Sequence, residues 1–316
     1  MGISACVTVE DKDPNILWVM APFYLMVRWI YLLSRVPHRW RILHVPKSQV
    51  VSWYRMLLDF TIPKKLFRGR SQFSYANLPY AYPTIKLKCW TPSGVHRCQD
   101  PRHSCFRNIC SFVRLPGRRV YRQLGRGLQH VMQYLTPGWG LRDMSQAFPL
   151  LVDRASWLKR PTRRQATGCY HCERCGREMS YPTLLVADAG QAYEDLDTSA
   201  IYTAVQELFE RVPEVTKTHT VTITNTEKGY DTRWVGDYKI PHNDRTILSM
   251  SSMRRAVYGF LGMRIFRLGD VFLEQLQGIP IGGPLSGCIL ELVLSRYETL
   301  YDKANPFRRR HLATGR

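Results

Sequence analysis

At 316 residues the chain is long enough for two domains with ample core, and 45% hydrophobic residues exclude a disordered tail. Lysine plus arginine outnumber aspartate plus glutamate 45 to 25, a net charge of +20. A surplus of that size points to a polyanionic partner, nucleic acid first, with a membrane surface or a ribosome as alternatives. The nine cysteines are an odd, clustered set, and no cleavable signal peptide is evident. They read as reduced intracellular thiols or metal ligands in a nuclear or cytoplasmic protein, not as a disulfide framework.

Ile16 to Ser34 is the most apolar run, followed by Arg35, Arg39 and Arg41. Pro22 and Arg28 interrupt it, and an arginine near the middle of a span costs about 2.5–3.5 kcal/mol on insertion scales. An interfacial or buried helix is expected there, and a membrane partner is not. Arg55 to Tyr82 interleaves Lys64, Lys65, Arg68 and Arg70 with Phe67, Phe73, Tyr75 and Tyr80. It reads either as a solvated basic loop or as a surface that holds phosphates while bases stack on the rings. Pro79 and Pro83 suggest a boundary near residue 82.

Lys86 to Gln129 holds Cys89, Cys98, Cys105 and Cys110 and a basic run with Arg114, Arg118, Arg119 and Arg122. Pro116-Gly117 is a turn signal, and Tyr121, Leu124, Leu128, Val131 and Met132 then predict an amphipathic helix. Further on, Cys169, Cys172 and Cys175 are spaced to present thiolates to Zn2+, with His171 or a residue of the Cys89–Cys110 cluster as the fourth ligand. Free thiols in a basic loop are the alternative.

Leu184 to Ala187 is an apolar strand ending in Asp188. A carboxylate there is either a turn former or a rigidly held ligand for a hard divalent cation. Asp197 or Thr198 then caps a predicted helix to Arg211, with Ile201, Val205, Leu208 and Phe209 on its apolar face. Thr218 to Thr224 alternates as a strand, Asn225 to Gly229 reads as a turn, and Arg233 to Ile240 returns as a strand. Met250 to Met263 is predicted helical, and Leu268-Gly269-Asp270 turns a hairpin between Ile265–Arg267 and Val271–Leu273.

Gln277 to Gly287 (QGIPIGGPLSG) holds four glycines and two prolines, and a helical pattern follows through Leu285, Cys288, Ile289, Leu292, Val293 and Tyr297. Strand, glycine turn, helix start lets a backbone approach a phosphate or sugar closely. An ordinary tight β-to-α connection has the same pattern.

Together, Asp188-Ala-Gly-Gln-Ala-Tyr193 and Gln277 to Ser286 resemble motifs A and B of the reverse transcriptases, the RNA-directed DNA polymerases. The resemblance covers about 181–301. It implies an α+β fold, a right-hand polymerase with fingers and an incomplete palm. The chain would divide into a basic, partly helical N-terminal extension (1–82), a fingers-like, cysteine-containing region (83–165) and a partial palm (166–316). The partners would be an RNA template, a DNA primer and deoxynucleoside triphosphates. Asp188 and the Ala189 carbonyl would hold Mg2+ or Mn2+. Tyr193 would reject a ribose 2′-hydroxyl, with a core-facing tyrosine as the alternative. Gly278, Pro280, Gly282, Gly283 and Ser286 would line the nucleotide site, and Arg114, Arg118, Arg119 and Arg122 would hold nucleic-acid phosphates.

The sequence departs from that pattern in three places. Ile281 stands where a glutamine is usual and Gly283 where a serine is usual. No Asp-Asp pair exists to supply motif C, and Asp302 lies beside Lys303 on the continuing helical pattern. The expectation is therefore a retroelement-type polymerase sequence, truncated within the palm and inactive as it stands. A non-catalytic nucleic-acid-binding protein and a zinc-stabilised interaction module are the rival readings.

Overall fold

A computed structural model describes residues 6–9, 17–20, 38–62, 73–85, 106–135, 192–215, 220–226, 229–234 and 245–304. In chain order the elements are β1 (Cys6–Val9), β2 (Leu17–Met20), β3 (Trp40–Leu43), α1 (Lys47–Thr61), a 3-10 turn (Tyr75–Asn77), β4 (Tyr80–Ile85) and β5 (Phe106–Ser111). Then come α2 (Arg118–Leu135), the short α3 (Ala192–Asp195), α4 (Thr198–Val215), β6 (Thr220–Thr226), β7 (Gly229–Trp234) and β8 (Arg245–Ser249). Last are α5 (Met250–Leu261), β9 (Ile265–Leu268), β10 (Val271–Gln275) and α6 (Ser286–Ala304). The fold is α+β, as expected.

Two compact units form: residues 1–135 with 191–293, and residues 136–190 with 294–316. The first holds all the described strands. Its five-stranded sheet has the order β3-β10-β9-β4-β5, antiparallel except for β4 beside β9. A three-stranded antiparallel sheet has β6 between β7 and β8. The expected boundary at residue 82 falls inside β4, where Pro83 stands opposite Asn108 of β5.

Helix α4 follows its apolar spacing: Ile201, Ala204, Val205, Leu208, Phe209 and Val212 are buried. Its cap is Asp197, whose carboxylate accepts from the Ala200 amide at 3.0 Å. Hydrogen bonds from the Ser199 hydroxyl and then the Ala200 amide hold that carboxyl below its ordinary range. Helix α5 is capped by Ser249, which accepts from the Ser252 amide. Its Phe260 packs on Phe112 at 5.6 Å between ring centroids, and Phe112 meets Phe266 edge-on at 5.7 Å. Burying each such ring is worth about 1.5–3 kcal/mol.

Helices α1 and α5 meet at Gly259. A Cβ there would overlap Thr61 Cγ2 and sit 2.8 Å from Thr61 Cβ. Thr61 cannot turn away freely, because its hydroxyl donates to the Leu57 carbonyl and accepts from the buried Tyr121 hydroxyl at 2.8 Å. Gly259→Ala is therefore expected to cost roughly 2–3 kcal/mol, the upper part of the overpacking range. Thr61→Ser, which deletes Cγ2 and keeps the hydroxyl, should recover more than half of that loss in the double variant. Urea denaturation midpoints of the three variants check both expectations.

Three expectations need correction. Leu17–Met20, within the run read as a helix, is a strand paired with Cys6–Val9. Its flanks, 10–16 and 21–37, lie outside the described residues. The described ends of the basic stretch Arg55–Tyr82 are not loop: Arg55 lies in α1, and Tyr75–Tyr82 holds a 3-10 turn capped by Ser74 and the start of β4. Lys64, Lys65, Phe67, Arg68 and Arg70 lie outside the described residues. The second strand of the β6–β7 hairpin starts at Gly229 rather than Arg233, because pairing continues as far as Thr226 opposite Gly229.

Candidate functional site

The glycine-rich stretch follows β10, as its sequence predicts, and closes on itself before α6 begins. The Pro280 carbonyl accepts from the Gly283 amide at 3.2 Å and from the Ser286 hydroxyl at 2.6 Å. The Gly283 carbonyl accepts from the Ser286 amide at 3.2 Å. Ser286 is buried, so its hydroxyl is committed to holding the turn. Gly278, Ile279, Pro280 and Leu285 are also buried, whereas Gly282 and Gly287 are exposed. What the stretch offers to solvent is the backbone from Ile281 to Pro284 and the first turn of α6.

Two glycines are required by geometry. Gly278 has φ +76° and Gly282 φ +96°, backbone that side chains of L residues rarely adopt. A Cβ on Gly282 would lie 2.9 Å from the Cys110 carbonyl oxygen. That closeness reflects a stitch to β5, in which the Cys110 amide donates to the Ile281 carbonyl at 2.7 Å. Gly283, which stands where a serine is expected, has no room for one. A Cβ there would lie 2.5 Å from Phe260 Cζ and overlap Ser286 Oγ.

Tyr193 lies in α3, directly against this turn. Its carbonyl accepts from the Ile279 amide at 2.7 Å, and the Leu196 carbonyl accepts from the Gly278 amide at 3.1 Å. Gln277 Nε2 donates to the Asp195 carbonyl at 3.2 Å. The two stretches singled out in the sequence are thus joined backbone to backbone. The Tyr193 ring is half-buried against the core, and its hydroxyl is 4.0 Å from where a Cβ on Gly287 would stand. Burial first, then Cys288, pushes its phenol above the ordinary value, with Arg107 pulling the other way.

A polar group that the sequence did not disclose stands behind Tyr193. Glu194 accepts from Asn108 Nδ2 at 3.3 Å, and Arg39 bridges Glu194 (3.7 Å) and Asp195. Arg39, Arg107 and Asn108 carry no motif, and only strand pairing brings them to this place. Glu194 also adds to the upward shift of the buried Cys110 thiol, which burial dominates.

The basic helix lies on the next flank. Gly125 of α2 packs on the start of α6: a Cβ there would be 3.3 Å from Leu285 Cδ2 and 3.5 Å from the Pro284 carbonyl oxygen. About a quarter turn round the same helix, Arg118, Arg119, Arg122, Gln123 and Arg126 line a cavity of about 450 Å³. Arg118, Arg119 and Arg122 were expected as a group. Arg126 continues the 118–122 spacing by one more turn and was legible from it. Arg114 is exposed at the preceding turn and does not line this cavity.

Asp188, Ala189, Cys169, Cys172 and Cys175 lie outside the described residues. Among the described residues no group of three or more His, Cys, Asp or Glu side chains stands where it could hold a metal ion. No described helix is long and apolar enough to cross a membrane.

No family model matches the chain, and no curated protein matches it. Among solved structures it is similar to apo telomerase from Candida tropicalis truncated from the C-terminal domain, with a TM-score of 0.49 and 12% identity over 95% of this chain and 48% of that one. It is also similar to apo telomerase from Candida tropicalis (TM-score 0.48, 12% identity, 93% of this chain, 42% of that one). A third similar structure is telomerase from Candida albicans in complex with a TWJ fragment of telomeric RNA (TM-score 0.47, 12% identity, 96% and 42%). The chain spans less than half the length of each. TM-scores below 0.5 at this identity assign no function.

Proposed function

We propose that the chain carries the nucleotide-binding part of a reverse-transcriptase-like palm. In this reading a deoxynucleoside triphosphate lies on Tyr193 and the exposed turn from Ile281 to Pro284, with an RNA template and DNA primer alongside. One observation carries it: Tyr193 and the glycine turn, far apart in sequence, are docked by the Ile279 amide on the Tyr193 carbonyl at 2.7 Å. A half-exposed aromatic beside a turn with bare glycine backbone supports close contact with a sugar and exclusion of its 2′-hydroxyl. Asp188, with the Ala189 carbonyl, stays the proposed contact for Mg2+ or Mn2+. The sequence holds no Asp-Asp pair, so the proposal for these 316 residues is binding without primer extension.

The test is calorimetric titration of dATP and ATP in the presence of primer–template, for the parent and for Tyr193→Val. The parent is expected to prefer dATP by roughly 10- to 100-fold, the equivalent of a 1–3 kcal/mol steric cost, and the variant to lose most of that preference. Equal affinity for both nucleotides in the parent would sink the role of Tyr193. Primer extension by the parent that vanishes in Asp188→Ala would sink the claim of binding without extension.

The arginines of α2 favour a second reading, a nucleic-acid-binding protein with no nucleotide site. An affinity for nucleic acid that depends on salt, with no dATP binding, would support it. Zn2+ on Cys169, Cys172 and Cys175 is a separate proposal, checked by metal analysis of Cys172→Ser.

A further inference from the structure

Arg39 touches both halves of the candidate site without being part of either. It sits just before β3, and its carbonyl accepts from the Leu276 amide at 2.7 Å, two residues ahead of Gly278. Its guanidinium reaches across to Glu194 and Asp195, the two residues that follow Tyr193. The Arg39 and Glu194 side chains are each only 16% exposed, so the pair is shielded from the screening that weakens surface ion pairs. Asn108 holds the other oxygen of Glu194. The carboxylates of α3, a helix of four residues with little cohesion of its own, are therefore fixed from outside.

We infer that Arg39 is a positioning residue for Tyr193: through Glu194 and Asp195 it fixes α3 and so sets the tyrosine against the glycine turn. The inference rests on the nucleotide-site reading for its consequence, but its structural part stands alone. With the guanidinium removed, Glu194 and Asp195 become like charges on adjacent residues, one of them largely buried, and the cheapest relief is rotation of α3 outward. That motion breaks the bonds from the Gly278 and Ile279 amides. Tyr193 then no longer stands over Gly287. The neighbouring Arg41, paired with Glu274 on the exposed edge, has no such path to Tyr193.

The experiment follows amide hydrogen exchange in the full chain for Arg39→Gln, Arg39→Lys, Glu194→Gln and the control Arg41→Gln, with dATP affinity measured alongside. In Arg39→Gln and Glu194→Gln the Gly278 and Ile279 amides should exchange about tenfold faster or more, while the amides of Met250–Leu261 keep their protection. Arg39→Lys should recover part of the loss, and Arg41→Gln should match the parent. dATP binding should weaken only in proportion to the fraction of molecules in which α3 is open. Unchanged exchange at Gly278 and Ile279 would overturn the inference. So would equal loss of protection throughout Met250–Leu261, which marks a merely structural role. A parent that shows the exchange pattern and binds no dATP would overturn the nucleotide reading and leave the positioning intact.

Discussion

Gly278→Ala is expected to lower stability by roughly 2–5 kcal/mol and to separate Tyr193 from the glycine turn. Two costs add. An L residue held at φ +76° is strained by about 1–2 kcal/mol. The new methyl would also lie inside contact distance of the Tyr193 carbonyl oxygen and 2.7 Å from that of Glu194. Both are backbone atoms, which cannot swing aside as a flexible side chain would, so an overpacking cost of roughly 1–3 kcal/mol applies in full. The cheapest relief is to move α3 away and give up the bonds from the Gly278 and Ile279 amides. Gly269→Ala is the matched control, since Gly269 has φ +59° and nothing within 4 Å of a new Cβ. It should cost only about 1 kcal/mol of backbone strain. Thermal unfolding of the pair separates the two terms, with Gly278→Ala expected to fall on the order of 10 °C. Equal small losses in both variants would show that α3 is not tightly docked.

Replacing Arg118, Arg119, Arg122 and Arg126 together by alanine should have the largest effect on nucleic-acid binding. The four line one cavity on α2, beside the contact of Gly125 with the start of α6, so a strand lying on the glycine turn would run along them. Each phosphate neutralised releases condensed counterions, which contributes about 0.7 to the slope of log affinity against log salt for single strands and about 0.9 for duplex. Losing four contacts should therefore flatten the slope by roughly 3 and weaken binding about 100- to 1000-fold near 0.1 M salt. Alanine is the best helix former, so the helix itself should survive the change. Arg114→Ala, outside the cavity, should change the slope by about 1 or less. Fluorescence anisotropy with a labelled oligonucleotide over a salt series reads both. An unchanged slope in the quadruple variant would place the binding surface elsewhere.

What the sequence disclosed, and what it hid, follows from how far each signal reaches along the chain. Helix α4 with its Asp197 cap, helix α5, the β9–β10 hairpin and the glycine turn are local patterns, and all were legible. Helix α1 was not. Val50, Tyr54, Leu57 and Leu58 make its buried face, but Trp53, Met56 and Phe60 carry the apolar surface on round its flank and are more than 40% exposed. Apolar residues beyond the buried face blur the periodicity by which a helix is recognised. β8 is five residues with polar ends, and β3 is only four residues, Trp-Arg-Ile-Leu. Such short strands are defined by their partners rather than by their own composition. The site divides in the same way. Tyr193 and Gly278 to Ser286 were proposed from a resemblance carried by two short stretches, whereas Arg39, Asn108 and Arg107 enter only through strand pairing and ion pairing between distant segments.

The edge of the five-stranded sheet has a consequence for how the chain comes to be folded. Arg41 of β3 and Glu274 of β10, opposite each other in the register, are 233 residues apart. During synthesis β3 leaves the ribosome long before its partner exists, and its unpaired edge stays open until β10 emerges. Closing so long a loop carries a high entropic cost, which makes assembly of this sheet late and slow relative to its helices. The partner strand ends immediately before the glycine turn, so the candidate site is among the last parts of the molecule to form. A nascent chain halted before β10 would hold most of the helices and no site.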